Sequence, residues 1–161
     1  MTIGVETKSP EHTRELAAAI AAVLRGGDTI LLAGDLGAGK TTFTQGLGRA
    51  LGVEDQITSP TFTIMHQYPA ASCTLVHVDV YRVGHLQEIL DLGLEELLDE
   101  GAIALVEWGD VAAPALPQDF LEVRIAFGAD DDDRRIALRT VGHRWAPRQD
   151  ALARAVEAWS A

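Results

Sequence analysis

The spacing of hydrophobic residues along the chain predicts helices in some segments and strands in others. Ser9 and Pro10 are typical of a helix start, and the apolar residues that follow repeat at helical spacing until Gly26-Gly27 ends the pattern. Residues 40–51 and 86–98 carry further helical patterns, the second one in two short pieces. Each of these segments is therefore predicted to be helical.

Strands are predicted where apolar residues form short runs or alternate with other residues. The predicted strands are residues 3–5, 29–33, 61–68, 74–79, 103–106, 120–127 and 136–140. The runs at 29–33 and 103–106 are continuous, which is typical of strands in the middle of a sheet. Two hairpins are predicted, one from residues 61–68 and 74–79 and the other from residues 120–127 and 136–140.

This order of elements predicts one α/β domain with a central mixed or parallel sheet flanked by helices. The chain has 161 residues, which suits a single domain, and no linker or internal repeat divides it. We expect residues 1–142 to form the domain. Residues 143–161 are expected to form a C-terminal extension, helical over 151–159 and packed on the same domain.

A glycine-rich segment lies between a predicted buried strand and a predicted helix. Residues 34–41 read Gly-Asp-Leu-Gly-Ala-Gly-Lys-Thr and match the phosphate-loop pattern G-x-x-x-x-G-K-[ST]. In such a loop, glycines let successive N–H groups point at phosphate oxygens, and the following helix adds its positive dipole end. We expect Lys40 to reach the outer phosphates and the Thr41 hydroxyl to bind magnesium. The sequence thus predicts a P-loop nucleotide-binding fold.

Two predicted strands end in an acidic residue, Asp79 after one apolar-rich segment and Glu107 after another. Ligands of open α/β sheets gather at the carboxyl ends of the strands, so both acids are expected to face the phosphate loop. Such an enzyme needs a carboxylate for magnesium or its water and a group that positions the attacking water. The spacing does not decide which of the two acids holds magnesium and which positions the attacking water. His66 and His77 alternate with apolar neighbours and are interpreted as packed or surface residues, not metal ligands.

Charge and cysteine content narrow the possible functions. Thirteen basic and 24 acidic residues give a net charge of −11, so no direct nucleic-acid binding is expected. Cys73 is the only cysteine, which excludes an internal disulfide and a zinc cluster of cysteines. The sequence shows no signal-peptide pattern and no apolar run of membrane-spanning length. A cytoplasmic protein without membrane contact is therefore expected.

Four motifs, in this order, resemble the TsaE family, the small ATPase of bacterial tRNA threonylcarbamoyladenosine biosynthesis. They are residues 34–42, Ser59-Pro60-Thr61-Phe62-Thr63, His77-x-Asp79-x-Tyr81-Arg82 and Glu107-Trp108. The resemblance runs from about Ser9 to Leu138. It implies ATP and Mg²⁺ as cofactors, with Lys40, Asp79 and Glu107 as the catalytic residues.

The resemblance also implies individual binding roles. The residues implied to hold the phosphates are Gly37, Ala38, Gly39, Lys40, Thr41 and Thr42. Thr41 and Glu107 are the implied magnesium ligands, and Asp79 is implied to lie beside the γ-phosphate, contacting nucleotide or attacking water. Ser9 and Arg134 fall where the family contacts the nucleotide base.

Further implications concern the surroundings of the nucleotide and the partners. Thr61 is implied to lie on a loop that senses nucleotide state, and Trp108 near the nucleotide or a partner. Members of the family leave the chemical modification to a TsaD transferase, which works with a TsaB companion. The ATPase docks on that pair and supports its turnover. An acidic chain that reaches RNA through protein partners agrees with this picture.

Three other functions compete with this reading. A P-loop kinase for a small metabolite usually has an arginine-bearing lid, and no arginine-rich insertion occurs in residues 86–98. A small GTPase usually carries Asn-Lys-x-Asp, which is absent from the sequence. A nucleotide-responsive scaffold stays open as an alternative function, because P-loop proteins can hydrolyse nucleotide very slowly without a partner residue.

The run of aspartates at residues 130–133 is interpreted as a solvated hairpin tip.

Overall fold

The helices and strands follow one another in the order that the hydrophobic pattern predicts. A computed structural model describes residues 1–58, 65–79, 91–107 and 117–161. Its helices are α1 (Pro10–Ala21), α2 (Lys40–Leu51), α3 (Leu94–Asp99) and α4 (Gln149–Ala155), with 3-10 turns at Ala146–Arg148 and Glu157–Trp159. Its strands are β1 (Thr2–Thr7), β2 (Thr29–Gly34), β3 (Met65–Pro69), β4 (Thr74–Asp79), β5 (Ile103–Glu107), β6 (Phe120–Phe127) and β7 (Arg134–Val141).

The strands of the described residues form one seven-stranded sheet in the order β1-β7-β6-β2-β5-β4-β3. The central strands β6, β2, β5 and β4 run parallel, whereas β1, β7 and β3 pair antiparallel toward the edges. Every position of β5 is buried, as expected for a central strand covered on both faces. The predicted α/β fold is confirmed. Both predicted hairpins form, although residues 61–64 of the first lie outside the described ranges.

A hydrophobic core lies on each face of the sheet. The larger core packs side chains such as Leu32 and Leu105 against α1, α2 and the C-terminal residues. The smaller core packs Val78 and Val106 against Leu98 of α3. Because strand residues alternate between the two faces, the odd-numbered positions of β4 and β5 face α1 and α2. This assignment of faces decides where the acidic strand ends point.

Helices α1 and α2 contact each other at a glycine of α2. A Cβ atom at Gly46 would come within 2.5 Å of the Cα and carbonyl oxygen of Arg14, closer than real Cβ atoms approach other atoms. The absence of a side chain at this position lets the two helices pack backbone to backbone. The contact fixes where α2 lies over the sheet, and so where its first turn begins.

Two predicted helix ends are wrong. Helix α1 ends at Ala21 and not at Gly26-Gly27, because the chain leaves the helix through tighter turns in which Val23 N–H donates to Ile20 O and Leu24 N–H to Ala21 O. The predicted helix over 151–159 spans only Gln149–Ala155.

The C-terminal helix breaks at Val156, whose backbone is no longer helical, and a 3-10 turn follows. The tighter turn places the Trp159 ring beside the His12 ring, with 5.8 Å between ring centroids and the ring planes tilted by 36°. Ser160 then forms an isolated bridge with Val5 of β1. None of the helices in the described ranges is long and apolar enough to cross a membrane.

A buried ion pair joins the C-terminal residues to the start of β2. The Arg148 guanidinium donates to both carboxylate oxygens of Asp28 over 2.7 and 2.8 Å, and both side chains are almost fully buried. Arg144 and the Arg25 N–H donate to the same carboxylate. The Arg148 guanidinium also lies 4.0 Å from the centroid of the buried Trp145 ring.

The predicted division of the chain into residues 1–142 and a C-terminal extension stays a prediction.

Removing one member of this pair is expected to destabilise the fold strongly. Asp28→Asn leaves the Arg148 charge buried without its counter-ion, which typically costs about 3–5 kcal/mol of unfolding free energy. Urea unfolding measures the difference. Asp99→Asn, at an exposed carboxyl on α3, serves as the matched control and is expected to change the free energy by less than about 0.5 kcal/mol.

The effect of Asp28→Asn is expected to depend on pH in a defined direction. Burial raises the pKa of the Asp28 carboxyl, but hydrogen bonds from Arg148, the Arg25 N–H and Arg144 outweigh burial and bring the pKa below its ordinary 3.8. The carboxylate therefore stabilises the fold fully above pH 3.8, and this contribution disappears as the pH falls through the folded-state pKa. The difference in unfolding free energy between wild type and variant should therefore become smaller in acid. A difference that becomes larger in acid would contradict this account.

Candidate functional site

The glycine-rich loop connects the end of β2 to the start of α2, as its sequence pattern predicts. Gly37 has φ +82° and Gly39 has φ +113°, both in the left-handed region that favours glycine. A Cβ atom at either residue would meet nothing within 4 Å. These glycines are therefore required by the backbone conformation and not by crowding, and the space beside them is open.

The first turn of α2 presents backbone donors to this open space. Gly39 is the N-terminal capping residue, and no side chain caps the helix. The N–H groups in a first helical turn, including those of Thr41 and Thr42, have no acceptor within the helix. Together with the positive end of the helix dipole, such donors form a site for an anion.

The two acidic strand ends lie side by side. Asp79 and Glu107 are register partners on the parallel strands β4 and β5, and Glu107 is in turn paired with Leu32 of β2. Partners in register point to the same face, which here is the face covered by α2. Asp79 is 7% exposed and Glu107 is 4% exposed. Two nearly buried carboxylates therefore adjoin the strand from which the phosphate loop begins.

A histidine contacts one of these carboxylates. His77 Nε2 lies 3.1 Å from Glu107 Oε1, and the histidine side chain is fully buried. The sequence interpretation of His77 as a packed or surface residue missed this contact. The available signal was the two-residue period of a strand, which places His77 and Asp79 on the same face. Among the described residues, no three His, Cys, Asp or Glu side chains form a group that could hold a metal ion.

Arg134 attaches the β6–β7 hairpin to the phosphate loop. Its Nε donates to Ala38 O over 2.7 Å, and its Nη1 donates to the carbonyl oxygens of Asp131 and Asp133. The guanidinium also lies 4.9 Å from the centroid of the Phe127 ring. The side chain thus holds the loop and the hairpin turn in a fixed relation.

A small cavity of about 80 Å³ lies between α1, the phosphate loop and the hairpin. Its walls include Pro10, Thr13, Thr42, Asp132 and Arg134, together with residues 37–39. Ser9 directly precedes Pro10, one of the residues that line this cavity. The Ser9 hydroxyl caps α1 by accepting a hydrogen bond from His12 N–H. Ser9 therefore has a structural role that is independent of any ligand.

The run of aspartates is exposed at Asp130, Asp131 and Asp132, as expected for a hairpin tip. Asp133 differs, because it is partly buried and its carboxylate lies 3.4 Å from Lys8 Nζ. Asp132 also reaches the cavity wall. The tip is therefore tied to the rest of the fold on one side and open to solvent on the other.

The family model described as threonylcarbamoyl adenosine biosynthesis protein TsaE matches residues 7–136. The chain belongs to the TsaE family. The match includes the phosphate loop, both acidic strand ends and Arg134. The architecture described above is therefore that of a TsaE-family protein.

Individual relatives support this membership. A Bacillus subtilis protein named tRNA threonylcarbamoyladenosine biosynthesis protein TsaE is 42% identical over 148 residues, which cover 92% of each chain. A Streptomyces coelicolor protein of the same name is 45% identical over 139 residues, 83% of this chain and 93% of that one. A crystal structure of Bacillus subtilis YdiB is similar with a TM-score of 0.79 at 38% identity, covering 96% of this chain and 95% of that one.

Several residues that carry the TsaE resemblance lie outside the described ranges. They are residues 59–63 with Thr61, then Tyr81-Arg82, and Trp108. Their implied roles stay predictions. Within the described ranges, the structure brings Asp79 and Glu107 together at the α2 face, and it brings Arg134 to the phosphate loop.

The contact of Arg134 with the loop has a measurable consequence in this TsaE-family chain. The Ala38 N–H donates to Asp35 O, and its exchange with solvent reports how firmly the loop is held. Arg134→Ala removes a hydrogen bond from a charged donor, a contact typically worth about 1.5–3 kcal/mol, so we expect this amide to exchange at least tenfold faster. Hydrogen exchange followed by NMR measures the rate. Arg135→Ala, at the exposed neighbour on β7, should leave it unchanged, and equal effects of both variants would contradict the assignment.

Proposed function

We propose that this TsaE-family protein is a magnesium-dependent ATP hydrolase that serves the threonylcarbamoyladenosine modification of tRNA. The observation that carries the proposal is the register of Asp79 and Glu107 on the α2 face, beside the strand that leads into the phosphate loop. The relatives named for tRNA threonylcarbamoyladenosine biosynthesis supply the pathway.

The donor groups of the site fit a nucleotide with magnesium. The glycine loop and the uncapped first turn of α2 offer backbone N–H groups to phosphate oxygens. Magnesium at nucleotide sites takes one or two protein ligands, and phosphate and water complete its shell. The described residues contain carboxylates here but no group of three possible metal ligands. This donor set therefore suits magnesium bound together with a nucleotide better than a metal held by protein alone.

Each residue of the site has a distinct proposed role. The Thr41 hydroxyl and the Glu107 carboxylate hold the metal ion, which neutralises charge on the phosphate oxygens. Lys40 places its ammonium group at the outer phosphates. Asp79 accepts a hydrogen bond from the attacking water beside the γ-phosphate, which positions that water. Residues 37–42 bind the phosphates, and the cavity beside Ser9 and Arg134 takes the base.

Substitutions at the site should separate binding from turnover. Lys40→Ala and Thr41→Ala are expected to weaken binding of magnesium-ATP about 10- to 100-fold, since each removes a contact to a charged group. Glu107→Ala is expected to spare nucleotide binding more than turnover, because it removes a metal ligand and no phosphate contact. Calorimetric titration measures binding, and release of inorganic phosphate without an added acceptor measures turnover.

Thr41→Ser keeps the hydroxyl group and is the matched control for Thr41→Ala. Unchanged hydrolysis in Glu107→Ala would remove this residue from the metal site. ATP consumption that appears only with one particular metabolite would replace the hydrolase with a small-molecule kinase.

We further propose that the protein acts in the cytoplasm through partners that resemble TsaD and TsaB, without binding tRNA itself. The net charge of −11 opposes direct contact with a phosphate backbone. A partner that carries the RNA-binding surface removes this difficulty. Hydrolysis by the isolated chain is accordingly expected to be slow.

A pull-down from cell extract tests the partner proposal. The tagged protein with a non-hydrolysable ATP analogue is expected to retain a TsaB–TsaD-like pair, and Lys40→Ala should retain less of it, because that variant binds the nucleotide poorly. Electrophoretic mobility of tRNA with the purified chain is the complementary measurement. Tight tRNA binding by the chain alone at physiological salt would contradict the proposal.

A further inference from the structure

We infer that His77 is a positioning residue, which holds the Glu107 carboxylate in the orientation that receives the metal ion. This inference rests on the proposed function, because it concerns the metal ligand assigned there. Its starting point is the 3.1 Å contact between His77 Nε2 and Glu107 Oε1. The contact engages one carboxylate oxygen and leaves Oε2 for the ion.

The surroundings of the imidazole determine where its proton lies. His77 Nδ1 is buried and has no hydrogen-bond partner among the described residues. A proton on Nδ1 would leave a buried donor without an acceptor and would direct the Nε2 lone pair at a carboxylate oxygen, and both arrangements are costly. The tautomer with its proton on Nε2 avoids both. His77 Nε2–H therefore donates to Glu107.

The fold prevents the imidazole from leaving this position. His77 is fully buried and is in register with Leu105, which is fully buried as well. On the same strand and the same face, Leu75 is also fully buried. A ring packed this tightly cannot change rotamer without opening the core. Glu107 is thus held through a side chain that is itself fixed by packing.

A hydrogen bond to the carboxylate is expected to matter for metal binding and not only for stability. Removing a residue that orients a metal ligand typically lowers the affinity for the metal 10- to 100-fold. A purely structural histidine would instead lower the stability of the fold and leave the affinity of the folded protein unchanged. Metal affinity therefore distinguishes the two roles.

Three variants isolate the donor function. His77→Leu removes the donor and keeps most of the volume. His77→Gln places an amide N–H at nearly the position of Nε2, so it restores the donor. His143→Gln makes the same chemical change at an exposed histidine in the C-terminal residues and is the control. If His77→Leu does not fold, His77→Asn replaces it, because its shorter side chain cannot reach Glu107.

The first readout uses Mn²⁺ as the probe, in the presence of a non-hydrolysable ATP analogue, with free and bound ion measured by electron paramagnetic resonance. We expect His77→Leu to bind Mn²⁺ about 10- to 100-fold more weakly than wild type and His77→Gln to regain most of the loss. His143→Gln should match wild type. Affinity for the analogue without metal should be the same in all variants.

The second readout is the ¹⁵N spectrum of the imidazole in the ligand-free protein, which does not depend on activity. A proton on Nε2, and a shift of the Nε2 signal in Glu107→Gln, are expected. The opposite tautomer would overturn the inference. Equal Mn²⁺ affinity in wild type and His77→Leu would overturn it while leaving the proposed function intact. Failure of the wild type to bind Mn²⁺ with the analogue would overturn both.

Discussion

The register of three parallel strands is the constraint on which the site depends. Hydrogen bonding of β2 to β5 and of β5 to β4 sets Leu32, Glu107 and Asp79 in one row across the sheet. Neighbouring strands lie about 4.8 Å apart, so this row brings two carboxylates next to each other and next to the strand that leads into the phosphate loop. A shift of the strand register by one residue would point one of the carboxylates toward the core on the α3 side of the sheet. The site is therefore a consequence of sheet pairing, and no single segment contains it.

The electrostatics of this row support the proposal that a cation binds beside it. Two carboxylates on adjacent strands repel each other when both are charged, and burial weakens the screening by water. The contact of His77 with Glu107 supplies one donor to this pair of acids. Phosphate groups would add more negative charge at the glycine loop. In the proposed function, a divalent ion held at Glu107 would reduce both repulsions.

The sequence predicted features that are local in the chain and missed those that depend on strand order. The phosphate loop and α2 were predicted because the glycines, Lys40 and the apolar period all lie within one short segment. The strand ends at Asp79 and Glu107 were predicted for the same reason. Their adjacency requires β5 to lie between β2 and β4, and the contact of His77 with Glu107 depends on this order as well as on the two-residue period of the strands.

The C-terminal residues show the same limit. Asp28 and Arg148 are separated by 120 positions, and no motif marks either of them as half of a buried pair. The break at Val156 was missed because the apolar pattern continues past it, while the bridge between Ser160 and Val5 favours a tighter turn. Tertiary contacts override helical periodicity at such ends.

A crystal structure of the protein with magnesium and a non-hydrolysable ATP analogue tests the central claim most directly. We expect the ion about 2.1 Å from the Thr41 hydroxyl oxygen and from one oxygen of Glu107, with His77 Nε2 still bonded to the other oxygen. An ion located away from the Asp79–Glu107 row, or triphosphate bound outside the glycine loop, would contradict it.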